Sequence, residues 1–210
     1  MLIKNFLRSS KYFLTRIFLI ALIIEQILII FVVSAQAGDF PLISDGSTNT
    51  VVDMSANGVP VVNIAAPNSS GLSHNRFGDY NVNQVGVILN NAIGSANGVV
   101  VTQIGGLITD NPNLRDSGAA SVILNEVTSN NISHIDGYTE IGGRRADLII
   151  ANPNGISFSG SGFINVSRLT AVVGSANQFN PHINDLTFSL SGNAYEVTHG
   201  FLPKLTIMGS

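Results

Sequence analysis

The stretch LIIANPNGI, residues 148–156, places an aliphatic strand directly before a rigid turn. Four apolar residues in a row, ending at turn residues, are typical of a short buried strand. In the turn, Pro153 fixes φ, and the flanking asparagines tolerate left-handed backbone and bond to their own backbone. Gly155 then allows a further positive φ. This stretch therefore predicts a strand at 148–151 that ends in a tight turn.

A related turn, NPNL, occurs earlier in the chain at residues 111–114. It again places a proline between two asparagines and is followed at once by an apolar residue. Turn chemistry accounts for every residue of both motifs. From the residues alone, the two motifs are therefore interpreted as rigid turns.

Short apolar segments recur on both sides of these turns. Each is four to eight residues long, rich in Val, Ile and Leu, and bounded by Gly, Asn, Asp, Ser or Pro. No segment after Ala37 keeps a helical apolar face over eleven residues, so the chain is predicted to be all-β. The predicted strands are 50–54, 59–65, 82–89, 99–104, 121–127, 148–151, 163–166, 169–173, 186–190 and 205–208.

Residues 38–210 contain 22 Asn and 21 Gly, interleaved with Val and Ile. That composition favours a parallel β-helix, in which aliphatic residues form interior ladders and turn asparagines bond along the stack. Asn-Gly and Asp-Gly pairs, such as Asn97-Gly98, are hairpin signals. The residues alone therefore leave an antiparallel sandwich or barrel open as the alternative fold.

Residues 1–37 are predicted to be a secretory signal peptide. A basic leader precedes an apolar run at 17–33, and Ala35 and Ala37 occupy the two small-residue positions before a cleavage site. The alternative is a retained membrane anchor, which Glu25 at the centre of the run disfavours. The domain predicted after cleavage spans residues 38–210.

The domain after the leader is acidic and has no cysteine. The leader holds four of the ten Lys and Arg residues and one of the thirteen Asp and Glu residues, so residues 38–210 carry six basic and twelve acidic side chains. An acidic chain without a basic stripe is not expected to bind nucleic acid. The absence of cysteine excludes thiol catalysis and cysteine metal sites.

Parallel β-helices also occur in enzymes, so an enzyme is one function class to consider. Such an active site needs clustered carboxylates near a basic group. The one dense charged patch holds Glu140, Arg144, Arg145 and Asp147, and it is interpreted as a solvated turn. The four histidines are scattered without metal-ligand spacing. We therefore predict no catalytic residue, no cofactor and no metal site.

The two Asn-Pro-Asn turns also carry a resemblance. As a pair, NPNL and NPNGI resemble the amino-terminal secretion domain of two-partner-secretion exoproteins, a family of filamentous haemagglutinins, haemolysins and contact-dependent inhibition toxins. Five further blocks look similar to the family, in the expected order, and the resemblance runs from about residue 50 to the end of the chain. These blocks are GLSHN (71–75), GVILNN (86–91), ILNEV (123–127), GYTE (137–140) and GFIN (162–165).

The resemblance implies a right-handed parallel β-helix, single-stranded and pectin-lyase-like, with an amino-terminal cap and extra-helical strands. It also implies a secretion-targeting role in a large adhesin or haemagglutinin-like protein. The Sec machinery would carry the chain across the inner membrane. A TpsB-type outer-membrane β-barrel transporter with periplasmic POTRA-type modules would then recognise the domain and translocate it to the cell surface or the medium. A domain that itself binds the host cell surface as an adhesin is the alternative.

By carry-over, both motifs are predicted to be needed for secretion, either through contact with the transporter or by shaping the domain. Many relatives carry Cys-x-x-Cys after the second motif, where this chain has Phe158 and Ser161. The chain ends at Ser210, whereas relatives continue much further, so a fragment or a carboxy-terminally truncated protein is expected. The predicted motif residues are Asn111, Pro112, Asn113 and Leu114, with Asn152, Pro153, Asn154, Gly155 and Ile156.

Overall fold

The computed structural model describes residues 41–176, together with the backbone of 188–197 and 204–207. The predicted signal peptide, with Ala35 and Ala37, lies outside the described residues. The strands in chain order are β1 (Ile43–Ser44), β2 (Val51–Met54), β3 (Pro60–Asn63), β4 (Leu72–Asp79), β5 (Val87–Asn91), β6 (Val99–Thr102), β7 (Gly106–Thr109), β8 (Val122–Val127), β9 (Ser133–Ile135), β10 (Tyr138–Gly143), β11 (Ala146–Ala151), β12 (Ile156–Ser159), β13 (Gly162–Ile164), β14 (Val166–Ala176), β15 (Phe188–Val197) and β16 (Lys204–Ile207). Two single 3₁₀ turns, Ala96–Gly98 and Pro112–Leu114, are the helical segments among the described residues.

The chain winds through three sheets in successive coils. Coil 1 consists of β3, β4 and the bridging residue Val82; coil 2 of β5, β8 and β9; coil 3 of β10, β11 and β12; and a partial coil 4 of β13 and β14. Neighbouring coils pair in parallel in all three sheets. The prediction of a parallel β-helix is therefore confirmed, and the antiparallel sandwich or barrel is not the fold.

Each sheet contributes a stack of buried apolar side chains to the interior, because residues in register on successive coils point the same way. Burying one such side chain contributes roughly 1.5–3 kcal/mol, so each coil is stabilised mainly by its neighbours. The stacks are Val62, Leu89 and Ile141 in the five-stranded sheet, Ile123, Leu148 and Leu169 in the six-stranded sheet, and Val82, Ile135 and Phe158 in the three-stranded sheet.

Antiparallel strands lie at both ends of the helix. At the amino-terminal end, β1 pairs with β4 and β2 pairs with β3. At the other end, β15 pairs with the last coil strand, β14, and β16 pairs with β12. These additions cover strand edges that would otherwise be open to pairing with another chain. The expected amino-terminal cap and extra-helical strands are thus confirmed.

A hairpin formed by β6 and β7 projects from coil 2 and lies on the outside of the five-stranded sheet. Ile108 on the hairpin packs in one apolar cluster with Val61 and Ile88 of the sheet beneath it. Val101 and Leu107 point the other way, with exposed fractions of 75% and 62%. The hairpin therefore buries one face and presents the other to solvent.

Coils 2 and 3 approach closely at the corner where β5 and β10 begin. A Cβ atom added to Gly137 would collide with the carbonyl oxygen of Asn83. Gly86, beside it, has a φ of +87° and donates its N–H to that same carbonyl at 2.8 Å. Glycine is required at this corner because the backbones leave no room for a side chain.

The predicted strands differ from the observed ones where a strand has polar inward residues or where the chain turns a corner of the helix. The predicted strand 82–89 is interrupted by a turn at 83–86, so β5 begins at Val87. The predicted strand 163–166 is split because Asn165 turns the corner with a φ of +59°. The predicted ranges include no strand at β1, β4, β7, β9, β10 or β12. In β4, the inward positions include Ser73 and Asn75, so the strand lacks an apolar alternation.

Candidate functional site

The first Asn-Pro-Asn turn closes a corner of coil 2 around a buried amide. Asn111 is fully buried, and its Nδ2 donates to the carbonyl oxygens of Ile64 at 3.0 Å and Asn90 at 2.8 Å. Its Oδ1 accepts from the backbone N–H of Asn113 at 2.9 Å, as in an Asx turn. Both amide hydrogens of Asn111 are therefore used inside the protein.

The second half of this turn reaches coil 1 and the core. The Nδ2 of Asn113 donates to the carbonyl oxygens of Asn49 at 2.8 Å and Ile64 at 3.1 Å. Leu114 is fully buried in the main apolar core. Pro112 alone among the four motif residues is exposed. The predicted motif residues thus mainly hold the corner together.

The second turn repeats this arrangement between β11 and β12. Asn152 is fully buried, and its Nδ2 donates to the carbonyl oxygen of Asn131 and to the Oγ of Ser133, each at 3.0 Å. Its Oδ1 accepts from the backbone N–H of Asn154 at 2.8 Å. The amide of Asn152 therefore has the same role as that of Asn111.

The residues that follow Asn152 complete the second turn. The Nδ2 of Asn154 donates to the carbonyl oxygen of Ser129 at 2.8 Å. Gly155 takes a φ of +115°, a value that residues with a side chain rarely adopt. Ile156 is fully buried, and Pro153 is half-buried. The turn chemistry expected at Gly155 is what the structure contains.

The two turns have the same internal design but lie at different corners of the helix. The first separates the five-stranded and six-stranded sheets in coil 2, and it reaches back to coil 1 through Ile64. The second separates the six-stranded and three-stranded sheets in coil 3, and it reaches back to coil 2 through Asn131. The predicted motif residues therefore do not form one joint site; each turn fastens its coil to the coil before it.

Two further asparagines bridge coils in the same way; the sequence analysis includes them in the blocks GVILNN and GFIN but assigns them no role. The Nδ2 of Asn91 donates to the carbonyl oxygens of Ala120 at 2.9 Å and Arg144 at 2.8 Å. The Nδ2 of Asn165 donates to the carbonyl oxygen of Ile141 at 2.8 Å. The available signal was an asparagine at the end of a short aliphatic segment: Asn91 is the last residue of β5, and Asn165 directly follows β13.

A charged cluster lies on the outer face of the six-stranded sheet. Glu126 accepts from His74 Nε2 at 2.8 Å and from the backbone N–H of Ala176 at 2.8 Å, and the Nε of Arg76 lies 3.5 Å from its carboxylate. Burial by itself raises the pKa of Glu126, but these hydrogen bonds and positive charges outweigh it and hold the pKa below its usual value. The cluster joins β4, β8 and β14, so its contacts are structural.

The charged patch considered as an enzyme site is divided between two sheets. Glu140, on β10, is 4% exposed and accepts from the backbone N–H groups of Gln103 and Ile104, each at 2.9 Å or less. Asp147, on β11, pairs instead with Arg168 at 2.7 Å. The two carboxylates are therefore committed to different partners, and Glu140 anchors the tip of the hairpin.

A small polar group lies inside the helix. The hydroxyls of Tyr80 and Thr139 and the amide of Asn125 are buried without a hydrogen bond of standard geometry. Burial raises the pKa of Tyr80 well above its usual value, and the nearby Asn125 and Thr139 offset this only in part.

Within 41–176, His, Asp and Glu side chains do not gather in any group of three that could bind a metal ion. No helix in the described part of the chain is long and apolar enough to cross a membrane.

Comparison with known proteins gives a consistent result. Residues 41–201 match the family model of the TPS secretion domain. The chain is 55% identical over 128 residues to the 16S rRNA endonuclease CdiA of Enterobacter cloacae, and the aligned segment covers 61% of this chain and 4% of that protein. It is 40% identical over 190 residues to a hemolysin of Serratia marcescens, and the aligned segment covers 85% of this chain and 12% of that protein.

A solved structure shares the fold. The crystal structure of a filamentous hemagglutinin secretion domain superimposes with a TM-score of 0.60 at 46% sequence identity, and the match covers 67% of this chain and 44% of that one. The chain thus spans only a small part of the length of the curated relatives that it matches.

Proposed function

Since this chain belongs to the family of TPS secretion domains, we propose that its residues 41–201 direct an exported protein to a cognate outer-membrane TpsB transporter. The family match over those residues is the observation that carries the proposal. Exoproteins of this family are exported through the outer membrane to the cell surface or the medium. The nuclease activity named for the CdiA relatives is not assigned to this chain, because the shared segment is 4% of the length of those proteins.

The amino-terminal segment supplies the first export step, across the inner membrane. Residues 1–37 act as a signal peptide for the Sec machinery, and cleavage after Ala37 leaves a periplasmic chain that begins at Gly38. The transporter's periplasmic POTRA-type modules then bind the domain. Amino-terminal sequencing of the exported protein should therefore begin at Gly38, and an intact Met1 would contradict this step.

The domain itself performs targeting and catalyses no reaction. The two carboxylates of the charged patch support this view, because Glu140 is saturated by backbone N–H groups and Asp147 is paired with Arg168. A general acid or base needs a carboxyl group that reaches the substrate. Glu140 is too deeply buried to do so, and the Asp147 carboxylate is engaged by Arg168.

The motif residues contribute to secretion by shaping the domain. Asn111, Leu114, Asn152 and Ile156 are fully buried, so a transporter that binds the folded surface does not reach them. Their substitution changes secretion through the fold of the corner. Pro112 is the exception, since it is the exposed residue of the first turn.

The test is co-expression of the full chain with and without its transporter, followed by quantitation of the chain in the medium. Export that requires the transporter is expected, and equal amounts in the medium in both strains would contradict the proposal. Two variants separate shape from contact: Asn111→Ala should reduce export together with stability. Pro112→Ala should leave both nearly unchanged, and a selective loss of export in that variant would indicate direct contact.

A further inference from the structure

The pentapeptide SANGV occurs twice in the chain, at residues 55–59 and at residues 95–99. The first copy connects β2 to β3, and the second leads into β6 of the hairpin. Each copy contains an Asn-Gly pair, in which asparagine deamidates readily because glycine has no side chain to shield its backbone nitrogen. Since the two copies have the same local sequence, a difference in their reactivity must come from the structure around them.

The carboxamide of Asn57, in the first copy, is held at both of its polar atoms. Its Oδ1 accepts from the hydroxyl of Ser55 at 2.7 Å, and its Nδ2 donates to the carbonyl oxygen of Ile104 at 3.0 Å. The Ser55 hydroxyl also accepts from the backbone N–H of Val59 at 2.9 Å, so it fastens both ends of the pentapeptide. The first copy is therefore a turn whose asparagine is tied to its own loop and to the tip of the hairpin.

The corresponding asparagine of the second copy, Asn97, is exposed to solvent. Its side chain makes no hydrogen bond with any residue in 41–176, and the hydroxyl of Ser95 does not cap the turn. Its backbone has a φ of 60° and a ψ of 17°, the left-handed region that residues other than glycine adopt at a cost. Val99 is 37% exposed, whereas its counterpart Val59 is buried. The second copy is therefore the one that opens more easily.

The glycine nitrogens of the two copies do not distinguish the sites. Gly58 donates to the carbonyl oxygen of Ser55 at 3.0 Å, and Gly98 donates to that of Ser95 at 2.9 Å. In both copies this bond must break, and the peptide plane must turn, before the nitrogen can reach the asparagine side chain. In the second copy that local opening releases a left-handed residue and breaks no side-chain bond. In the first copy it also disturbs the two bonds that hold the amide of Asn57.

We propose that Asn97 is a deamidation site of the folded protein and that Asn57 is protected. The backbone nitrogen of Gly98, which gives up its proton to hydroxide, attacks the Cγ atom of Asn97 and closes a five-membered succinimide ring. The side-chain amino group takes up a proton and leaves as ammonia. Water then adds to one of the two imide carbonyl groups and breaks its bond to nitrogen, which gives aspartate or isoaspartate. The sequence consumes one water, releases one ammonia and transfers no electrons.

The product carries a new negative charge at the base of the hairpin. The backbone N–H of Asp110 donates to the carbonyl oxygen of Gly98 at 2.9 Å, and its Oδ2 accepts from the backbone N–H of Ser95 at 3.0 Å. Residue 97 lies inside the loop that these two bonds close. Isoaspartate adds a methylene to the main chain between residues 97 and 98, so the two bonds lose their alignment. Modification should therefore loosen the hairpin and leave the interior ladders intact.

The test compares the two copies within one molecule. The full-length protein is incubated at mildly alkaline pH, and the peptides that contain Asn57 and Asn97 are followed by chromatography and mass spectrometry. Asn97 should be converted about tenfold or more faster than Asn57, a ratio that two ordinary hydrogen bonds account for. In urea the two sites should react at nearly equal rates, because their local sequences are the same.

A matched pair of variants tests the cause of the difference. Ser55→Ala removes the hydroxyl that holds Asn57, and it should raise the rate at Asn57 severalfold in the folded protein. Ser95→Ala changes the equivalent residue of the second copy, whose hydroxyl does not cap the turn, and it should leave the rate at Asn97 unchanged. Circular dichroism before and after incubation shows whether each variant keeps its fold.

Three results would overturn the inference. The first is equal conversion of Asn57 and Asn97 in the folded protein, and the second is conversion of both in urea without conversion of Asn97 in the folded protein. The third is an unchanged rate at Asn57 in a folded Ser55→Ala protein. If Ser55→Ala does not fold, the comparison within the wild-type chain still decides, since it needs no substitution. None of these measurements involves the transporter, so they stand apart from the proposed function.

Discussion

The Nδ2 atom of Asn111 lies 2.8 Å from the carbonyl oxygen of Asn90, in the fully buried interior of the first turn. This bond joins the turn to β5, the strand that precedes the extra-helical hairpin, so the chain leaves coil 2 after Asn91 and returns to it at Asn111. The motif therefore closes the long excursion of coil 2.

Replacement of Asn111 by Ala should lower the free energy of unfolding by about 2–4 kcal/mol, because the carbonyl oxygens of Ile64 and Asn90 lose buried donors. Urea denaturation followed by circular dichroism measures the change. Pro112→Ala is the control and should cost under about 1 kcal/mol, since exposed substitutions are usually mild. Similar losses in both variants would contradict the buried-amide account.

Asn75 and Asn125 occupy register-matched positions on adjacent coils and should respond differently to replacement by Leu. The amide of Asn125 lies beside the buried Tyr80 hydroxyl and makes no hydrogen bond of standard geometry, so Asn125→Leu should change stability by no more than about 1 kcal/mol. Asn75 accepts from Thr50 and from the backbone N–H of Ala65, so Asn75→Leu should lower stability by roughly 2 kcal/mol or more. Thermal unfolding of the two variants gives the comparison, and a large loss for Asn125→Leu would count against the assigned role.

Glu126 should make the domain sensitive to acid. Its pKa is depressed in the folded protein, so its stabilising contribution is present above the usual glutamate pKa of about 4.3 and is lost as the pH falls through the lower, folded value. Glu126→Gln should therefore reduce Tm at pH 7 and flatten the fall in Tm between pH 5 and about pH 3. Scanning calorimetry across that range measures both effects. Asp116→Asn, at an exposed residue, should keep the wild-type profile.

Glu140 should control the local stability of the hairpin. Its carboxylate accepts from the backbone N–H groups of Gln103 and Ile104, and an amide at this position has only one acceptor oxygen. Glu140→Gln should therefore increase hydrogen exchange in residues 99–109 and leave the interior ladders protected. Asp147→Asn is the control, because that carboxylate pairs with partly exposed Arg168 on another sheet. Unchanged exchange in the hairpin of Glu140→Gln would refute the anchoring role.

The all-β class and both turns could be predicted from the sequence because their causes are local. The aliphatic run at 148–151 and the turn chemistry of Pro153 and Gly155 depend on neighbouring residues only. The choice of a parallel helix over a sandwich depends on pairing between distant strands. The spacing of the predicted strands did not distinguish the two folds, whereas the Asn and Gly content and the family resemblance favoured the parallel helix.

The contacts of the candidate site could not be predicted, because each joins segments far apart in the chain. Asn111 donates to Ile64, and Glu140 accepts from Gln103, across whole coils of the helix. Strand β4 escaped prediction for a related reason: its inward Asn75 is polar and is satisfied by Thr50, which lies outside the strand. A buried polar residue whose partner is distant looks like a loop residue in the sequence.

The most direct measurement for the targeting role is the fate of a passenger fused after Ser210 in cells with and without the TpsB transporter. The account predicts that the passenger reaches the medium only when the transporter is present, and that a fusion lacking residues 41–201 stays in the periplasm. Release of the passenger without the transporter, or retention of the complete fusion with it, would contradict the assignment of this chain as a secretion signal.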